Sequence, residues 1–407
     1  VADNTIPLLI LLVGLLVVLA ILTKAGLERI RVPSLIGYLV LGFLLRVADL
    51  EWEFLSPGVR EGFDFLAKIG LVTLLFRVGL ESDLAGLVRE FPRAALVWVG
   101  DVTLSGSLAY LAASELLGLP LIPSLFVGVA FSATSVAVSI TPWREANALR
   151  THTGELVLDV AELDDISGIT LMAMLFAVVP ILKGGLEASL LPALGRSAGL
   201  LLAEAVGFGA LCVFFSRYIE QPMTSFFERI EPPPDPMLMV AGTGFIIAAL
   251  ARWMGFSLAI GALFAGLVFS RDPEAVKLDA SFGTLDELFT PFFFIGVGLN
   301  VEPAALHSAL GISGLLLAAA VAGKLLGAGT PGLLVRGWTG GSLIGVSMVP
   351  RAEIAMVIME HGRSLGAWAV PPHVYAAAVV VSALTCILSP LALRFLLGRW
   401  PQAAARR

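Results

Sequence analysis

Two adjacent carboxylates, Asp164 and Asp165, stand in the segment ELVLDVAELDDISGIT (155–170), and from Ile166 the chain runs without charge to Leu182. An acid at the centre of a membrane helix costs about 2.5–3.5 kcal/mol on insertion scales, and the sites that keep one usually use it. At about 100° per residue, neighbouring helix positions can reach one cavity from adjacent faces. Two such acids are suited to bind an ion and protons inside a transporter, so Asp164 and Asp165 are the candidate ion and proton site. Glu155, Asp159 and Glu162 fall at i, i+4 and i+7 and form a stripe beside them. For Glu155 and Asp159 a solvated helix end is the simpler reading.

The elements that must position these acids are membrane spans. Of 407 residues 57% are apolar and 14% charged, and the mean hydropathy is +0.92. A soluble domain carries about 25% charged residues, so the composition predicts an all-α polytopic membrane protein. About thirteen apolar runs reach spanning length, from 5–23 to 371–397. With an odd number of spans and Val1 outside, the inner loops collect sixteen Lys and Arg and the outer loops six. This asymmetry favours an outer N-terminus and an inner, cytoplasmic C-terminus. The remaining four, Lys68, Arg77, Lys324 and Arg351, fall inside spans. Lys68 is expected to snorkel. Asp101 and Glu204, also in apolar runs, read as inter-helix hydrogen-bonding groups. Cys212 and Cys386 match no metal or redox spacing. No basic tract suggests nucleic acid, and no nucleotide-binding domain is expected after Leu397.

Two spans look weak in the same way. One holds FSATSVAVSITPW (131–143), rich in small and hydroxylated residues; the other holds GVSMVPRAEIAM (345–356), where Pro350 precedes Arg351 and Glu353. Proline inside a helix removes a backbone bond, and paired weak segments in two halves point to a transporter binding site. The expected organisation is a first inverted repeat over 1–194 with a broken helix near 131–142, a linker span and cytoplasmic hinge over 195–235, and a second repeat over 236–407 with a broken helix near 346–353. Arg351 and Glu353 flank the second break. Arg351 is expected to bind freed helix ends or an acid such as Glu162, because buried charges need partners.

At this point the chain resembles the monovalent cation/proton antiporters, in the branch of bacterial sodium/proton and potassium-efflux antiporters. The matching stretches are VPSLIGYLVLGFLL (32–45), AKIGLVTLLFRVGLESDL (67–84), FSATSVAVSI, ELDDISGI (162–169), IGALFAGLVFSRDPEA (260–275), FTPFFFIGVGLNVEP (289–303), AGKLLG (322–327) and VPRAEIAMVI (349–358). The resemblance implies two broken helices crossing at mid-membrane, separate dimerisation and ion-transporting domains, and a homodimer in the plasma (inner) membrane. It implies that Asp164–Asp165 is the paired acidic motif of electrogenic sodium/proton exchange, that Lys324 pairs with the first acid, and that Thr134 and Ser135 stand beside the site. Arg77, Glu162 and Ala352 depart from the family pattern, and Arg77 is a candidate to neutralise Glu162 or the pair itself. The expected cargo is Na⁺, with Li⁺ or K⁺ as relatives, against H⁺; no cofactor is expected. Electroneutral K⁺/H⁺ exchange and a sodium-coupled organic-solute symporter are the alternatives. An intramembrane aspartyl protease would need its acids on two helices, and a channel would need a filter segment; neither pattern is visible.

Overall fold

The computed structural model describes residues 5–81, 91–183, 236–254, 258–269 and 275–402, with a few positions between 207 and 226. The linker expected over 195–235, Glu204 included, lies outside these residues but for those few positions. The described residues form fourteen α-helices and two short π-helical turns. Seven stretches are long and apolar enough to cross a membrane, and two shorter apolar helices accompany them. The protein is an all-α, polytopic membrane protein.

Contacts divide the chain into two compact units, each drawn from three stretches. The first takes Val1–Ile21, Glu53–Asp83 and Phe176–Gly296. Within it, α3 (Pro57–Glu81) packs along α9 (Leu258–Phe269), and α9 packs on α8 (Pro236–Trp253). Gly79 and Gly266 face each other's helix backbone with no room for a Cβ, the close approach that small residues permit between membrane helices. Helix α10 (Ala275–Leu299) supplies Asp286, whose carboxylate pairs with Arg77 of α3 at 2.8 Å. The Thr290 hydroxyl donates to the same carboxylate. Arg77 therefore has an acid partner on α10, one that sequence spacing did not suggest.

The second unit takes Leu22–Trp52, Leu84–Leu175 and Val297–Arg407. It contains both breaks. Helix α5 (Leu121–Ser132) stops, the chain runs extended through Ala133 and Ser135, and α6 (Val136–Glu145) resumes. Likewise α12 (Thr330–Ser347) stops, and α13 (Glu353–Leu365) resumes after Met348–Ala352. Pro350 has no N–H to give a helix, which explains the second gap. Within α12, Gly337 has φ 69°, the left-handed region that glycine enters without steric cost. It marks the turn into the first half of the broken span. Around the breaks stand α4 (Phe91–Leu111), α7 (His152–Lys183), α11 (Pro303–Lys324) and α14 (Pro372–Arg399).

Candidate functional site

The first question at a broken membrane helix is where its backbone hydrogen bonds go, because lipid offers none. At the second break every carbonyl from Val346 to Arg351 has a donor. The Val346 carbonyl accepts from the Ser389 hydroxyl, Ser347 from Ser139, and Met348 from Thr134. The Val349 carbonyl accepts from the Arg351 guanidinium and the Pro350 carbonyl from the Ser135 N–H. The Arg351 carbonyl accepts from Ser382 and Cys386. The Ser135–Pro350 bond, 2.9 Å long, ties the two breaks directly together, so they cross.

At the first break two cations cap the end of α5. The Phe131 carbonyl accepts from Arg351 Nε at 3.1 Å, and the Ser132 carbonyl accepts from Lys324 Nζ at 2.5 Å. A helix C-terminus carries partial negative charge and favours cations. Arg351 also donates to the Ala320 carbonyl at 3.0 Å and lies over the Phe131 ring. It is fully buried. Of the two roles expected for Arg351, it fills the binding of freed helix ends. Its guanidinium hydrogen bonds all go to carbonyls, so Glu162 is not its partner. The reason is geometric: three carbonyls from three segments converge on one planar fork.

The acidic stripe of α7 becomes progressively buried toward the breaks. Glu155 is exposed, Asp159 and Glu162 are half-buried, and Asp164 and Asp165 are buried. Asp164 has no exposed surface, whereas Asp165 retains 8%. Asp165 lies within electrostatic reach of Glu353, Asp164 and Glu162, with Lys324 opposing them. The Ser167 hydroxyl donates to the Asp164 carbonyl and accepts from the Trp98 indole, which fixes this level of α7 against α4.

Lys324 is the last residue of α11 and is followed by a π-helical turn, Leu325–Gly329. Such turns are frequent at functional sites. Its ammonium donates to Asp164 Oδ2 at 3.1 Å and to Asp101 Oδ2 at 2.8 Å. All three side chains are fully buried. Asp101 thus makes the inter-helix hydrogen bond that the sequence suggested, and makes it as a buried ion pair with Lys324. A usable signal was present: Gly323 and Gly327 flank Lys324 at small-xxx-small spacing, a mark of close helix approach. A Cβ on Gly327 would come 3.0 Å from Asp101 Cα, and one on Gly323 2.7 Å from Ser105 Cα. The glycines therefore seat Lys324 against the helix that carries Asp101.

Three buried side-chain oxygens around the breaks and acids make no hydrogen bond: Asp164 Oδ1, Asp101 Oδ1 and Ser135 Oγ. An oxygen-seeking cation takes carboxylate and hydroxyl ligands of this kind. Thr134 spends its proton on the Met348 carbonyl at 3.2 Å and keeps its lone pairs. The break carbonyls of 346–351, by contrast, are all engaged by the chain. Among the described residues, no group of three or more His, Cys, Asp or Glu is placed to hold a resident metal ion.

The chain is 28% identical over 88% of its length to the high-affinity Na⁺/H⁺ antiporter NhaS3 of a Synechocystis species, covering 77% of that protein. It is 27% identical to an Na⁺/H⁺ antiporter of Enterococcus hirae over 94% of this chain and 97% of that one. Among solved structures, the sodium proton antiporter MjNhaP1 from Methanocaldococcus jannaschii superposes over 97% of each chain with a TM-score of 0.69 at 17% identity, a likeness of fold. A family profile described as sodium/hydrogen exchanger, transmembrane, matches residues 14–399. With crossed breaks, a buried acid–lysine cluster and a profile that covers nearly the whole length, the chain belongs to the sodium/hydrogen exchanger family of membrane transporters.

Proposed function

We propose that this protein exchanges Na⁺ or Li⁺ for H⁺ across the membrane by alternating access, with Asp164 and Asp165 as the shared site. The observation that carries the reading is the buried Asp164–Lys324 ion pair beside two crossing helix breaks, next to a second acid that keeps a small exposed surface. Two adjacent carboxylates cannot both ionise cheaply in a low-dielectric site. A proton and a cation therefore compete for the same oxygens. Competition couples the two flows: carriers loaded with either cargo reorient, and the empty, doubly charged site does not.

The ligands for the cation are the carboxylates of Asp164 and Asp165 with the hydroxyls of Ser135 and Thr134. Lys324 holds Asp164 in the cation-free state. Arg351 maintains the crossing, Glu353 opens α13 beside Asp165, and Glu162 and Arg77 are supporting charges. A monovalent cation exchanged against two protons on the Asp164–Asp165–Lys324 cluster makes the cycle electrogenic. The repeats are 1–194 and 236–407, joined by 195–235, and the breaks at 133–135 and 348–352 fall in one repeat each. The second unit, which contains both breaks, is the ion-carrying one. The protein acts as a homodimer in the plasma membrane with its C-terminus in the cytoplasm, as the Lys and Arg asymmetry supports.

The test is transport in proteoliposomes with an imposed pH gradient. Addition of Na⁺ or Li⁺ collapses the gradient in the wild type, and Asp165→Asn abolishes the response. K⁺ in the same assay reads cation preference, and clamping the membrane potential reads charge movement. Normal transport by Asp165→Asn rules out the site.

A further inference from the structure

The exchange reading leaves Asp101 without a task, although it is the shorter of the two contacts that Lys324 makes with a carboxylate. The ammonium stands 2.8 Å from Asp101 Oδ2 and 3.1 Å from Asp164 Oδ2. Each carboxylate has its other oxygen free of hydrogen bonds. The two acids are held differently with respect to the lysine. Asp101 sits on α4, against which α11 is pressed at Gly323 and the π-helical turn after it at Gly327, where Gly100 faces the Gly327 carbonyl. Asp164 comes from another helix, α7. The backbone of Lys324 is therefore locked to Asp101's helix.

A cation that takes both oxygens of Asp164 displaces the ammonium from Oδ2. A buried ammonium left without a carboxylate is strongly unfavourable. The Ser132 carbonyl is a neutral acceptor and cannot replace the lost charge. Asp101 can, with almost no movement of the side chain.

We propose that Asp101 is a positioning residue that gives the Lys324 ammonium a second carboxylate seat, so that a cation can take Asp164 without leaving a bare buried charge. The proposal rests on Asp164–Asp165 being the cation site. Asp101 acts through Lys324 and does not ligate the cargo. It sets how easily the cation wins against the lysine, and hence the working cation affinity.

The experiment is a double-mutant cycle on the full chain purified in mild detergent, with Na⁺ binding followed by calorimetry at fixed pH and ionic strength. Asp101→Asn keeps the shape and removes the charge. It is expected to weaken Na⁺ binding at least tenfold, because Lys324 then holds Asp164 as its sole charged partner. In a Lys324→Met background the same change is expected to alter the affinity by less than threefold. An Asp101→Asn protein within twofold of wild type overturns the proposal. So does equal weakening in both backgrounds, which indicates a role in packing or in the general field. Should Asp101→Asn not fold, Asp101→Glu tests the same point: affinity within threefold of wild type is expected, and a tenfold loss in folded protein overturns the proposal. Asp164→Asn and Asp165→Asn run alongside. Na⁺ binding that survives both removes the cation site itself, a failure distinct from one confined to Asp101.

Discussion

Replacing Arg351 by methionine removes a side chain that joins α5, α11 and the second break. In the wild type its guanidinium donates to Phe131 O at 3.1 Å, Val349 O at 2.5 Å and Ala320 O at 3.0 Å. The Phe131 carbonyl ends a half-helix: the N–H four residues on, that of Ser135, is committed to Pro350. Val349 lies in the break, where the helical ladder is interrupted. Ala320 lies within α11 and keeps its helical bond, so it loses only a second partner. A buried carbonyl stripped of its donor costs about 1–3 kcal/mol. Phe131 and Val349 together then cost about 2–6 kcal/mol, with about 1 kcal/mol more for the lost cation–π contact. Lysine keeps the charge but lacks the planar fork, so Arg351→Lys is expected to lose about half as much. The assay is reversible unfolding in mixed micelles, with melting temperature as a second measure. The expected order of stability is arginine, lysine, methionine. A methionine variant within about 1 kcal/mol of wild type, or a lysine variant that recovers everything, refutes the capping argument.

Lys324→Met strands two fully buried carboxylates, and breaking a buried pair costs about 3–5 kcal/mol; adding Asp101→Asn should recover part of that loss in the same unfolding assay. Ser135→Ala removes a buried hydroxyl that has no other partner, so it should raise the half-saturating Na⁺ concentration in vesicles and leave the melting temperature nearly unchanged. Gly323→Val pushes a side chain into Ser105 and should part α11 from α4, with the weaker Na⁺ response of the Asp101 variants and a lower melting temperature. Tyr375→Phe deletes the 2.6 Å hydrogen bond that the phenol donates to Glu360; a loss of about 1–3 kcal/mol in stability is expected, with Na⁺ binding unchanged.

Burial of the acids could be anticipated from α7 alone, because polarity changes along one helix from Glu155 to the apolar run after Asp165. The breaks were equally legible, since Pro350 and the hydroxyl-rich 131–139 segment carry their own backbone chemistry. Long-range pairing was not. The partner of Arg77 is Asp286, 209 residues away, and that of Asp101 is Lys324, 223 residues away. Within a span any charge can be met by several helices, and the sequence contains no record of which helix is the neighbour. The extra acid Glu162 invited a match with Arg351 for this reason. Three carbonyls took the guanidinium instead, because a broken helix exposes acceptors that no sequence pattern displays. The Gly323–Gly327 spacing announced a close approach without saying to what.

The sequence by itself determined that this chain lives in a membrane, where it carries its acids and where two of its helices fail, because each of those follows from residues adjacent along the chain. Only the tertiary structure decided which charges share a counter-ion. That depends on how closely separate helices approach, and the approach is set by glycines on one helix meeting the backbone of another.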